Sequence, residues 1–181
     1  WSSELGYEIF LRDGSRGGEL WDYLMEIGAP MGLHPGHTSS IRRIEAAMLS
    51  YHADMTLENN PYELGMERLV DLEMEADFVS KAALRRIRDE GVSIRQVGLE
   101  FDGPPLTGSN DEHWPITKEG RVVGKVTSAV YSPRLEKNIA LALMDVAEAG
   151  LGTQAVIEKA DDRRGCVAVS YTHLTLPTSY A

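Results

Sequence analysis

The feature that most restricts this chain lies after residue 92, where strand-length apolar segments follow one another with only brief interruptions. Ser93–Phe101 is the first, and Asp102–Pro115, rich in Pro, Gly, Asn and Asp, is the loop after it. Ile116–Gly120 and Arg121–Val130 read as a hairpin around Glu119-Gly120. Asn138–Met144 is a further strand, Asp145–Gly152 a short helix or turn, and Thr153–Glu158 the last strand. A run of short strands buries its apolar faces only by curling or stacking, so a small barrel or sandwich is expected.

The first half alternates between element types. Leu5–Leu11, rich in aromatic and apolar residues in alternation, predicts a strand. Arg12–Gly18 is a turn with three glycines, and Glu19–Ile27 predicts a helix with Leu20, Trp21, Leu24 and Met25 on one stripe and Gly28 just past its end. A polar cluster, Thr38-Ser39-Ser40, opens a second helix that places Arg43 and Glu45 beside Ile41, Ile44, Ala47 and Met48. It runs into a long polar segment, Tyr51–Pro61, the kind of loop that can hold a ligand-binding edge. Met66–Leu72 alternates like a strand, and a third helix follows Ser80 through Ala83, Leu84 and Ile87 to Gly91. The fold class expected is α+β.

Composition excludes several functions. The net charge of −10 over 181 residues disfavours nucleic acid and anionic membranes as partners. No apolar run approaches the ~20 residues that span a bilayer. One cysteine, Cys166, rules out an internal disulfide and fits a reducing, cytoplasmic setting. His34-Pro-Gly-His37 is the one histidine pair with ligand-like spacing, and with no further Cys or His beside it no metal site is expected. No glycine-rich phosphate loop and no nucleophile elbow occurs.

Two charged residues are better placed. Glu8 sits in the otherwise apolar Gly-Tyr-Glu-Ile-Phe, where a carboxylate has to be solvated, paired or turned to a ligand. It could accept two parallel N–H bonds from an amidine-like ring edge such as that of a pterin. Arg43, between Ile41 and Ile44, offers a rigid fork to a carboxylate. An edge-strand Glu and a surface Arg remain open as the plainer readings of both.

The motifs around these residues resemble those of the glycine cleavage T-protein (aminomethyltransferase) family. They are Gly6-Tyr7-Glu8-Ile9, then Arg43-Ile-Glu-Ala with Tyr51 after it, then Asn60-Pro-Tyr-Glu-Leu-Gly65. Asp77–Leu84 is similar to the family's D-F-I-G-x-x-A-L, and Gly124–Leu141 to the G-x-V-T-S-x-x-x-S-P-x-L-x-K-x-I-A-L of its C-terminal barrel. The resemblance implies a tetrahydrofolate-dependent enzyme that moves a one-carbon unit from a small methyl or aminomethyl donor onto folate. It implies that Glu8 contacts the pterin and that Arg43 lines the folate site. It also implies an upstream half carrying the Asp that acts at the folate nitrogen, so that catalytic residues are not assigned in this chain and the chain is inactive alone. Ser50–Asp54 and Asn60–Leu64 depart from the T-protein pattern and lean toward dimethylsulfoniopropionate demethylase-like members. The folate module of a flavin-dependent sarcosine or dimethylglycine dehydrogenase is the other alternative. Ala47 stands where the family usually has Gly.

Residues 1–75 are then expected to be the C-terminal part of a folate-binding α/β domain, and 76–168 a small β-barrel domain. Val169–Thr178, VSYTHLTLPT, matches one translated frame of a sequencing-library adapter. Residues 169–181 are therefore expected to be an artefact of a metagenomic gene model that is also truncated before Trp1. The oligomeric state stays open.

Overall fold

The computed structural model describes residues 5–160 and 162–170. Its centre is a closed antiparallel barrel of six strands, in the order β1-β4-β3-β2-β5-β6 and back to β1. The strands are β1 (Ile94–Phe101), β2 (Trp114–Lys118), β3 (Arg121–Ser132), β4 (Lys137–Asp145), β5 (Gln154–Lys159) and β6 (Asp162–Val169). Val97, Leu99, Phe101, Trp114, Ile116, Val126, Ala142, Met144 and Ile157 fill the interior. The hairpin between β2 and β3 turns on Glu119 (φ 52°) and Gly120 (φ 78°), both left-handed, which matches the twist of paired strands.

β4 is buried from Asn138 to Met144. Ala140, Ala142 and Met144 face the interior, whereas Ile139 and Leu141 face outward under a helix, so the strand reads as one apolar run rather than an alternation. The covering helix is α2 (Ser40–Glu45), whose Ile44 is fully buried against Val130, Ile139 and Leu141. Burying a side chain of that size contributes about 2 kcal/mol. Two further helices, α1 (Gly17–Gly28) and α3 (Lys81–Glu90), stand where the sequence predicts them. Gly91, with φ 81°, ends α3.

Two expected strands are not formed. Leu5–Leu11 is irregular, with Tyr7 and Phe10 at 89% and 85% exposure, and Met66–Leu72 holds a 3-10 turn at Glu67–Leu69. The reason is shared: a closed barrel has no free edge, and no other described strand offers either segment a partner. β6 goes unseen in the sequence because Arg163-Arg164-Gly165 breaks its alternation. Arg163 pairs with Glu158 across the ladder, while Arg164 is buried, donating to Asp162 and to the Pro104 carbonyl. Val169, assigned from sequence to the tail, is the last residue of β6 and pairs with Gly98 of β1, and residues 171–181 lie outside the described residues.

The end of α2 explains a sequence departure. Met48 N–H donates to Arg43 O and Ala47 N–H to Ile44 O, which is the paired closure of a helix whose next residue is left-handed. That residue is Ala47, with φ 55°. Glycine accepts this conformation freely, whereas a side chain costs about 1 kcal/mol or more. Ala47→Gly should therefore raise unfolding stability by roughly 0.5–1 kcal/mol in a denaturant titration, because relief of strain outweighs the added freedom of the unfolded chain.

Gly124 answers to a different constraint. A Cβ there would stand 2.5 Å from Leu143 O and 2.9 Å from Met144 Cα, both backbone atoms of β4. Gly124→Ala should cost about 1–3 kcal/mol in the same titration, whereas Gly108→Ala, with nothing within 4 Å, should change it little.

Cys166 lies inside the barrel, where burial pushes its thiol up to about 11. The raised value keeps it protonated and unreactive at neutral pH. Alkylation at pH 8 should be slow in the folded protein and reach completion only in denaturant.

Candidate functional site

The barrel's outer face and the polar loop after α2 meet in a buried cluster of charges. It begins with a bulge in β3. Val126 pairs with Ala142 and Ser128 with Leu141, so Thr127 is the extra residue. Successive strand residues ordinarily point to opposite faces, but the inserted one shifts the alternation. Val126 and Ala129, three apart, both face the interior, while Thr127 and Ser128 reach the same outside carboxylate. Asn110 satisfies the backbone around the bulge, accepting from Ala129 N–H and donating to Thr127 O.

The carboxylate is Asp54, 1% exposed. Oδ1 accepts from the hydroxyls of Thr127 (2.7 Å) and Ser128 (2.6 Å). Oδ2 accepts from Arg43 Nη1 (2.8 Å) and from Ser50 N–H (2.8 Å). Arg43 Nη2 donates to Ser128 Oγ (2.7 Å), and Nη1 also lies 3.3 Å from Met48 O. One helical residue pair along, Glu45 accepts from the Ser132 hydroxyl, which itself accepts from Leu135 N–H. Thus Arg43 and Glu45 of α2 engage Ser128 and Ser132 of β3, and two motifs about eighty-five residues apart in the chain bind each other.

A cavity of about 660 Å³ adjoins this cluster. Asp54 and Thr127 stand in its wall, with His52, His113, Lys125 and Leu143. His113 Nε2 lies 3.0 Å from Ala53 O, which requires the proton on that nitrogen because a carbonyl only accepts. His52 has φ 72°, the second left-handed non-glycine residue in this region, and its ring stands edge-on to Tyr51 at 4.2 Å.

The two residues singled out from sequence have different settings. Arg43 is buried and held by Asp54 and Ser128. Glu8 lies exposed on the irregular segment before α1, and among the described residues its carboxylate has no partner. Sequence reasoning missed Asp54, Thr127 and Ser128. The available signal was Val126-Thr127-Ser128, two hydroxyls side by side in a strand, but a bulge is not visible in a pattern of residue types. His34 and His37 are both exposed, and among the described residues no group of three or more His, Cys, Asp or Glu could hold a metal ion. Among them, too, no helix is long and apolar enough to cross a membrane.

Removing Asp54 should show what the cluster contributes. Asp54→Ala removes the buried carboxylate to which Arg43 donates, which costs about 3–5 kcal/mol. Thr127→Val removes one hydroxyl that donates to the carboxylate and should cost about 1.5–3 kcal/mol. Equal small losses in urea unfolding would mean that the ion pair is solvated in solution.

Comparison with known proteins gives the family and the fold. Residues 1–74 match the model described as the GCVT N-terminal domain, and residues 95–173 that of the glycine cleavage T-protein C-terminal barrel domain. A dimethylsulfoniopropionate demethylase of Ruegeria pomeroyi is 34% identical over 91% of this chain and 44% of its own length. An aminomethyltransferase of a Synechococcus species is 41% identical over 87% of this chain and 42% of its own. The chain thus spans less than half the length of the curated relatives it matches. The crystal structure of the glycine cleavage system aminomethyltransferase T from Bartonella henselae superposes with a TM-score of 0.65, covering 73% of this chain and 37% of that one at 21% identity, a likeness of fold. Two domain models of one family, matched in order over most of the sequence, place the chain in the glycine cleavage T-protein family.

Proposed function

We propose that the protein carrying this chain is a tetrahydrofolate-dependent transferase that moves a methyl or aminomethyl unit from a small donor onto folate. The observation that carries the reading is the interlock of Arg43 and Glu45 with Ser128 and Ser132. It joins the Arg43-Ile-Glu-Ala motif to the barrel motif, while among the described residues the Glu8 carboxylate of the Gly-Tyr-Glu-Ile motif has no partner. In this reading Glu8 accepts the N–H edge of the pterin and Arg43 lines the folate site. Residues 1–75 belong to the folate-binding domain and 76–168 to the barrel domain, and the protein works in the cytoplasm.

The donor reading leans toward demethylation of a small methylated compound such as dimethylsulfoniopropionate. Its support is the departure of Ser50–Asp54 and Asn60–Leu64 from the T-protein pattern. Glycine-cleavage aminomethyl transfer is the alternative, and relatives of both names match at similar identity. The folate module of a flavin-dependent sarcosine or dimethylglycine dehydrogenase is a third reading, which a G-x-G-x-x-G strand–helix unit upstream would mark.

Tetrahydrofolate titrated into the full-length protein should bind, and Glu8→Ala should weaken binding by about 2 kcal/mol, roughly 30-fold, as expected for a charged hydrogen-bond pair. Unchanged affinity would remove Glu8 from the site. Single-turnover assays with sulfonium, methylamine and glycine-derived donors then identify the donor, whichever transfers its carbon to folate.

A further inference from the structure

We propose that Asp54 is the positioning residue of Arg43, and that the β-bulge at Thr127 exists to set its orientation. The inference rests on the folate reading above and concerns how the site is held in shape rather than what it binds.

A guanidinium on a long side chain has many rotamers, and recognition of a ligand demands one of them. Asp54 selects it. Its carboxylate is 1% exposed, and each oxygen carries two bonds, so the group has no rotational freedom left. Three separate parts of the chain hold it: Ser50 N–H from the loop, Thr127 and Ser128 from the barrel, and Arg43 from α2. Ser128 links the two charged groups directly, donating to Asp54 Oδ1 while accepting from Arg43 Nη2. A regular strand could present only one of Thr127 and Ser128 to this face; the bulge presents both.

Cost points the same way. Replacing a buried ion pair by apolar residues of similar volume is often neutral or stabilising, so burying this one is a poor way to join a helix to a barrel. Ile44 already makes that joint with apolar contacts to Val130, Ile139 and Leu141. What the pair adds is a fixed direction for a charged group. Asp54 and Thr127 also stand in the wall of the adjoining cavity, so the holding network is continuous with a space that a ligand or donor could enter.

The test uses the full-length protein, tetrahydrofolate as the probe, and two readouts, dissociation constant and melting temperature. Ser128→Ala is the mild variant, because Asp54 keeps Thr127, Ser50 N–H and Arg43 as partners. Asp54→Asn is the stronger one, keeping the volume and removing the charge. Each is measured alone and in an Arg43→Lys background, which preserves a cation for Asp54 but loses the planar fork. Positioning through Arg43 predicts that Ser128→Ala weakens tetrahydrofolate binding three- to tenfold and Asp54→Asn tenfold or more. Both effects should shrink to less than twofold once Arg43 is Lys. If the affinity losses are the same in both backgrounds, or if affinity is unchanged while the melting temperature falls, Asp54 is structural only and the proposal is overturned. Should Asp54→Asn fail to fold, Thr127→Val decides in its place with the same expected and overturning outcomes, because Thr127 donates to Asp54, whereas Ser128 also accepts from Arg43 directly. Wild-type protein that does not bind tetrahydrofolate overturns the folate reading and the proposal together. Wild-type binding that Arg43→Lys leaves unchanged removes the role of Arg43, and the proposal with it, while the wider folate reading stands.

Discussion

The arrangement depends on one buried ion pair. Arg43 on α2 and Asp54 on the loop that follows are separated by eleven residues, and the two charges are buried together. The barrel takes part in that burial, since Thr127 and Ser128 supply the hydroxyls that donate to Asp54 Oδ1. The low-dielectric setting makes each bond stronger and makes the loss of any partner expensive. A helix of only six residues has little stability of its own. α2 is therefore held by what it packs against: Ile44 on the apolar side, Arg43 and Glu45 on the polar side, all to β3 and β4.

The barrel closes on itself, whereas the segment before α1 and the outer face of α1 lie exposed. Closure satisfies every strand edge within residues 94–169 and encloses one apolar interior. By contrast Leu5, Tyr7, Ile9 and Phe10 are exposed, as are Trp21 and Tyr23 of α1. The same residues carry the Gly-Tyr-Glu-Ile motif, so Glu8 lies on a segment whose backbone direction the barrel does not set. Arg43, anchored to the barrel, and Glu8, not anchored to it, are thus held to very different degrees.

Much of the barrel was legible because its signals are local. Alternation, turn residues at Glu119-Gly120 and the apolar run of β4 depend only on near neighbours. The strand predictions at Leu5–Leu11 and Met66–Leu72 failed for a non-local reason: alternation states that a segment could pair but not whether an edge is left to pair with. β6 was missed because Arg164 is buried by an unusual set of acceptors and stacks over Phe101 at 5.9 Å, which residue type argues against. For the site, Arg43 was legible as a charged residue between apolar ones. Asp54 looked like one more polar residue in a polar loop, because its burial comes from a bulge some seventy residues away in the chain. Ala47 was visible as a departure from the family's usual Gly, but its left-handed φ was not.

The central claim is that the loop, α2 and barrel form one cooperative unit around Arg43 and Asp54. Native-state hydrogen exchange on the full-length protein tests it directly. The amides of Ser50, which donates to Asp54, and of Met48, which closes α2, should exchange only with the same opening free energy as the amides of β3 and β4. Exchange of Ser50 and Met48 orders of magnitude faster than the barrel amides would show that the ion pair opens independently, and would contradict the account.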